Sequence, residues 1–165
     1  MKSATRSLLR LAALLSLITA LGQARTVTAP TAPVMMRDAV ADAQLLAKNY
    51  DGARVMRIAG TSMLPYFGEG TVVVVKPIDS AKLRAGMLVA YRNRFGETIA
   101  HRLVSRETTG WVAQGYNNQQ ADSTLVTSEN LIGVVYATFH TMGNNATQIA
   151  TSTTPVEVAL AAPAK

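Results

Sequence analysis

The chain has 165 residues, a formal net charge of +6 at pH 7, 48% hydrophobic but only 5% aromatic residues, two His and no Cys. That length suits one compact domain with tails. The lack of Cys excludes a disulfide framework, an iron–sulfur cluster, a thiol nucleophile and a lipidated N-terminal Cys, and two His alone are too few for a structural zinc site; no metal or cofactor is expected.

In chain order, Lys2, Arg6 and Arg10 precede a largely apolar run of 12 residues, Leu11 to Gly22, shorter than the ~20 residues that cross a bilayer as a helix. Gly22-Gln23-Ala24 then presents small residues on either side of a polar one. Basic start, short apolar middle and small-x-small end describe a secretory signal peptide over residues 1–24, cut after Ala24. The mature protein is therefore expected in the periplasm or secreted; an uncleaved leader tethering it to the membrane is the alternative. Basic residues beyond the leader form no block and are not interleaved with aromatic residues, so no nucleic-acid partner is expected.

Residues 25–37 are small, polar and Pro-containing, the composition of an extended linker. Residues 38–50 predict a helix, with Asp38 as N-cap, Val40, Ala43 and Leu46 on one face, and Asn49 and Gly52 at its end. The period then changes. Val55 to Ile58, Thr71 to Lys76, Met87 to Arg92, Thr98 to Val104, Trp111 to Ala113 and Leu131 to Phe139 read as strands separated by Gly-containing turns. Short strands with no helix-length run between them predict a mainly β, curled domain over residues 38–140. Val72 to Val75 does not alternate, which predicts burial on both faces, and Asp79 to Leu83 reads as one helical turn. From Thr141 onward Thr, Asn, Ser and Ala dominate, with Pro155 and Pro163, so residues 141–165 are expected to be a flexible tail.

Three segments can carry chemistry. Gly60-Thr-Ser-Met-Leu-Pro65 follows a strand. Gly60 permits a tight bend and Pro65 disfavours helix at Leu64, so Ser62 is expected as an exposed hydroxyl on a turn in an apolar cleft. His101, in Ile99-Ala-His-Arg-Leu-Val104, projects from a strand to one face, and an imidazole can take a proton from a hydroxyl and return it to a leaving amine. Gly115-Tyr-Asn-Asn-Gln-Gln-Ala-Asp-Ser123 is a polar loop whose acid, Asp122, can orient an imidazole. Taken singly, each has an ordinary reading: a turn Ser bonding its own backbone, a half-exposed strand His, a solvated or capping Asp.

Their order is more informative. Gly-x-Ser-Met-x-Pro, the Gly-led strand Ala85 to Tyr91, His-Arg-hydrophobic-Val, Gly-x-Asn-Asn-x-x-x-Asp and the closing Ile-Gly-x-Val of Ile132 to Val135 together resemble the signal peptidase I family, more narrowly its serine–histidine branch. The likeness runs from about Val55 to Phe139. It implies coiled antiparallel β-sheets of the signal peptidase/LexA type, and a serine endopeptidase that cuts extended polypeptides after small residues such as Ala or Gly, including substrates near a membrane. Carried over by position, it implies Ser62 as nucleophile, His101 as general base and Asp122 as the acid behind it. It also implies that the Ser62 N–H helps to hold the oxyanion and that Arg57, Ile58 and Met63 lie at the substrate, with the strand Ala53 to Ile58 accepting it by strand addition. The chain departs from the family pattern at Gly60, Met87 and Tyr116. A domain of the same fold that binds extended peptides without cutting them is the alternative function.

Overall fold

A computed structural model describes residues 27–142 and 157–160 of the chain; the expected leader lies outside the described residues. Helix α1 spans Met36–Ala47 and starts ahead of Asp38. Met35 rather than Asp38 occupies the N-cap position, without a side-chain capping bond, and the Asp38 and Ala39 N–H groups both donate to its carbonyl at 3.1 Å. Asp38 sits in the first turn, where a negative charge meets the positive end of the helix dipole. The predicted apolar stripe is real: Ala39, Val40 and Ala43 are buried, with Leu46 beside them, against Val72 and Val74.

The strands are β1 Arg54–Ala59, β2 Val72–Lys76, β3 Leu88–Arg92, β4 Thr98–Arg106, β5 Trp111–Gln114, β6 Leu131–Phe139 and β7 Glu157–Leu160. A single 3-10 turn at Ser80–Lys82 stands where one helical turn was expected, capped by Asp79, whose carboxylate accepts from the Ala81 N–H at 2.9 Å. The fold is mainly antiparallel β with one helix. Pairings run in a ring, β3–β6–β2–β1–β7–β4 and back to β3, and β5 extends the sheet from β4. All are antiparallel except those of β7, which runs parallel to both β1 and β4.

The non-alternating run of β2 has the predicted cause. Val72 and Val74 face α1, while Val73 and Val75 face a core of Met56, Ile58, Met63, Phe67, Ala90 and Ala100. Opposite faces of one strand thus serve two apolar clusters. A third cluster, with Val89, Tyr91, Ile99, Leu103 and Trp111, fills the space under β3, β4 and β5.

Two boundary expectations are corrected. The segment read as a linker is tied down: the Ala32 N–H donates to the Thr141 carbonyl at 3.2 Å and the Met142 N–H to the Val34 carbonyl at 3.1 Å. Thr141 is itself buried, its hydroxyl donating to the Gly70 carbonyl at 3.0 Å. Farther on, Glu157–Leu160 forms a strand inside the stretch expected to be a loose tail. Neither segment has a hydrophobic period of its own; both gain their order from backbone bonds to distant strands, a term that local composition does not carry. Among the described residues no helix is long and apolar enough to cross a membrane.

Candidate active site

β1 runs out at Ala59 into Gly60, whose φ of 101° is open to glycine and costly for other residues. The bend is held by Glu69. One of its carboxylate oxygens accepts from the Gly60 N–H at 3.0 Å and the other from the Arg57 guanidinium at 2.9 Å. Arg57, expected at the substrate, thus braces the turn. Bonds from the Leu64 N–H to Thr61 and from the Tyr66 and Phe67 N–H groups to Met63 wind the next residues into tight turns, and Ser62 stands at their start.

His101 lies in β4 opposite Val89 of β3. Asp122 comes from the loop between β5 and the bridge that pairs Trp111 with Val126, and its N–H donates to the Ala113 carbonyl at 2.8 Å. The three side chains form one hydrogen-bonded line. Ser62 Oγ lies 2.8 Å from His101 Nε2, and His101 Nδ1 lies 2.6 Å from Asp122 Oδ2. A carboxylate only accepts, so Nδ1 carries the hydrogen and Nε2 is left as acceptor for the Ser62 hydroxyl. That polarity lets the imidazole remove a hydroxyl proton, with the carboxylate placed to stabilise the resulting cation.

Sequence reasoning missed several residues around this line. The Tyr91 hydroxyl donates to the same Asp122 oxygen at 2.7 Å. Burial, then the Asp122 charge, then that hydrogen bond push the Tyr91 phenol well above its ordinary value, so it remains a donor. A Tyr inside an apolar strand is the one local signal for this, because a buried phenol needs a partner. Gly115 heads the Gly-x-Asn-Asn motif, which gives no sign of a packing role. A Cβ there would stand 2.6 Å from the Ser62 carbonyl oxygen and 2.9 Å from Ser62 Cβ, so only glycine lets this loop lie against the serine turn. The Asn117 N–H fastens the contact, donating to the Ser62 carbonyl at 2.7 Å.

Other predicted site residues are placed differently from expectation. Ser62 is not an exposed turn hydroxyl: it has 0% of its surface accessible, and His101 has 1%. Ile58 and Met63 are fully buried in the core beside Phe67 and Ala100, and offer a ligand no free side-chain surface in this arrangement. Tyr116, where the resembled family has an acid, stacks on Tyr66 with ring centroids 4.2 Å apart and lies under the Arg102 guanidinium at 4.7 Å. His140, just past β6, takes no part in the line. A cavity of about 420 Å³ opens beside His101 and Asp122, walled by Tyr91, Phe95, Ile99 and Asn118; Ser62 does not line it. The edge of β1 expected to receive a peptide is paired with β7. No group of three or more acids and histidines able to hold a metal occurs among the described residues. No protein-family model matches the chain, and no curated protein does.

Proposed function

We propose that this chain is a serine endopeptidase of signal peptidase/LexA type that hydrolyses extended polypeptides after small residues in an exported compartment. One observation carries the proposal: Ser62, His101 and Asp122, from three separate segments, meet in a single hydrogen-bonded line with Nε2 of the imidazole facing the hydroxyl and Nδ1 facing the carboxylate. In this reading Ser62 Oγ attacks the scissile carbonyl while its proton passes to His101 Nε2. The C–N bond breaks as that proton is delivered to the leaving amine, giving an acyl-serine and a new N-terminus. Water then attacks the ester, its proton passing through His101 back to Ser62, and the new carboxyl end leaves. Asp122 keeps the imidazole in its working tautomer and stabilises the cation, and the Ser62 N–H is a preorganised donor for the oxyanion.

The test is N-terminal peptide profiling of exported proteins from cells carrying the chain or its Ser62→Ala variant. New N-termini following Ala or Gly, present only with Ser62, are expected. Identical profiles, together with retained peptide binding by both chains, would favour the non-cleaving peptide-binding domain.

A further inference from the structure

We propose that the chain's own C-terminal strand, Glu157–Leu160, holds the peptide seat of this site in cis, so that an outside peptide binds only after the strand leaves. The proposal rests on reading the Ser62–His101 site as a peptide site. The seat itself follows from backbone geometry. The Ile58 N–H donates to the Thr71 carbonyl at 2.8 Å and the Gly70 N–H to the Ile58 carbonyl at 3.2 Å, so Ile58 turns its backbone groups to the β2 side. Strand alternation turns those of Arg57 and Ala59 to the opposite edge. An open edge of this kind is a template for an added strand.

That edge is filled. β7 lies along it in parallel register, Arg57 opposite Val158, Ile58 opposite Ala159 and Ala59 opposite Leu160. On its other side Leu160 pairs with Ile99 of β4. Both neighbours lead straight into the site, β1 through Gly60 and Thr61 to Ser62, and β4 through Ala100 to His101. Parallel direction therefore carries the C-terminal end of β7 toward the serine–histidine pair. The sequence at that end, Ala159-Leu160-Ala161-Ala162, has the small residues expected of a substrate. Residues 143–156 tether the strand to the domain, and tethered segments meet their sites at effective concentrations on the order of mM.

An occupied seat lowers the apparent affinity for an outside peptide by the fraction of molecules whose seat is open. Ala159→Pro tests this, since proline cannot donate and is not accommodated in a strand paired on both sides. Binding is measured in the Ser62→Ala background by fluorescence anisotropy of a labelled peptide copying residues 155–162. Adding Ala159→Pro should tighten binding at least about tenfold and speed hydrogen exchange across β1; unchanged affinity overturns the proposal. Should the proline variant fail to fold, a specific protease site placed within residues 143–156 and cut after folding replaces it. Diluting the cut chain should then raise peptide affinity to the same extent, and no rise overturns the proposal. Turnover is read separately, in Ala159→Pro with Ser62 intact: tighter binding without cleavage sinks the peptidase reading and leaves the cis strand standing, whereas cleavage with unchanged affinity does the reverse.

Discussion

At Ser62, the proposed activity and the stability of the fold depend on one bond. The side chain is fully buried and 2.8 Å from His101 Nε2, so Ser62→Ala leaves a buried acceptor without its partner. It should abolish cleavage and lower stability by about 1–3 kcal/mol; an unaltered melting curve or residual turnover argues against this arrangement. His101→Ala should remove most turnover, and His101→Lys should not restore it. A lysine base has to be neutral, and the Asp122 carboxylate, 2.6 Å from the present imidazole, favours the charged ammonium. His140→Ala should retain turnover, which makes it the control. Asp122→Asn should lower kcat with little change in KM, because an amide can donate to Nδ1 and so turn the imidazole's hydrogen toward Ser62, removing the base. Steady-state kinetics on folded variants separates these outcomes.

Among the elements, the β5–β6 connection is the one that completes the site, and Gly115 is where it touches. A methyl group at that position meets Ser62 backbone at 2.6 Å, not a side chain that can swing away. Gly115→Ala should displace the loop that brings Asp122 and Asn117, costing about 1–3 kcal/mol as overpacking does and a larger share of activity. A variant that keeps full turnover would show that the loop's approach is not needed. α1 belongs to a different part of the architecture: it covers Val72 and Val74 on the far face of β2, with Ala137 and Phe139 of β6 packed against the same cluster.

For the whole molecule, Tyr91 sets an alkaline limit. Its phenol is held well above the ordinary 10.0 by burial, by the Asp122 charge and by the bond to that carboxylate. Below about pH 10 the phenol is protonated in both folded and unfolded chains, and its contribution to stability is fully present. As pH rises past that point the unfolded chain releases the proton while the folded chain keeps it, so stability falls with increasing pH. Urea unfolding at a series of pH values should show a decline beginning near pH 10 that is shallower in Tyr91→Phe. Equal slopes in the two chains would mean that Tyr91 ionises in the fold as freely as in the unfolded chain. Tyr50, whose phenol is raised first by its bond to Tyr136, is only partly buried, and solvent screening keeps its part in that decline small.

By itself the sequence determined what repeats over a few residues or is fixed by one residue's backbone. The α1 stripe of Val40 and Ala43, the two-faced burial of Val72 to Val75, the six strands of the domain and the bend at Gly60 are of that kind, because side-chain period and glycine's freedom act locally. The ordered motifs also named Ser62, His101 and Asp122, though not that they touch. Only tertiary structure decided the rest: the ring of pairings, the burial of Ser62, the Tyr91 hydroxyl on Asp122, the closeness of Gly115 to the serine turn, and the strand at Glu157–Leu160 lying along β1. In each case the partner is a backbone or polar group tens of residues away, and its hydrogen bond gains its value from the shared exclusion of water, which leaves no periodic mark on either segment.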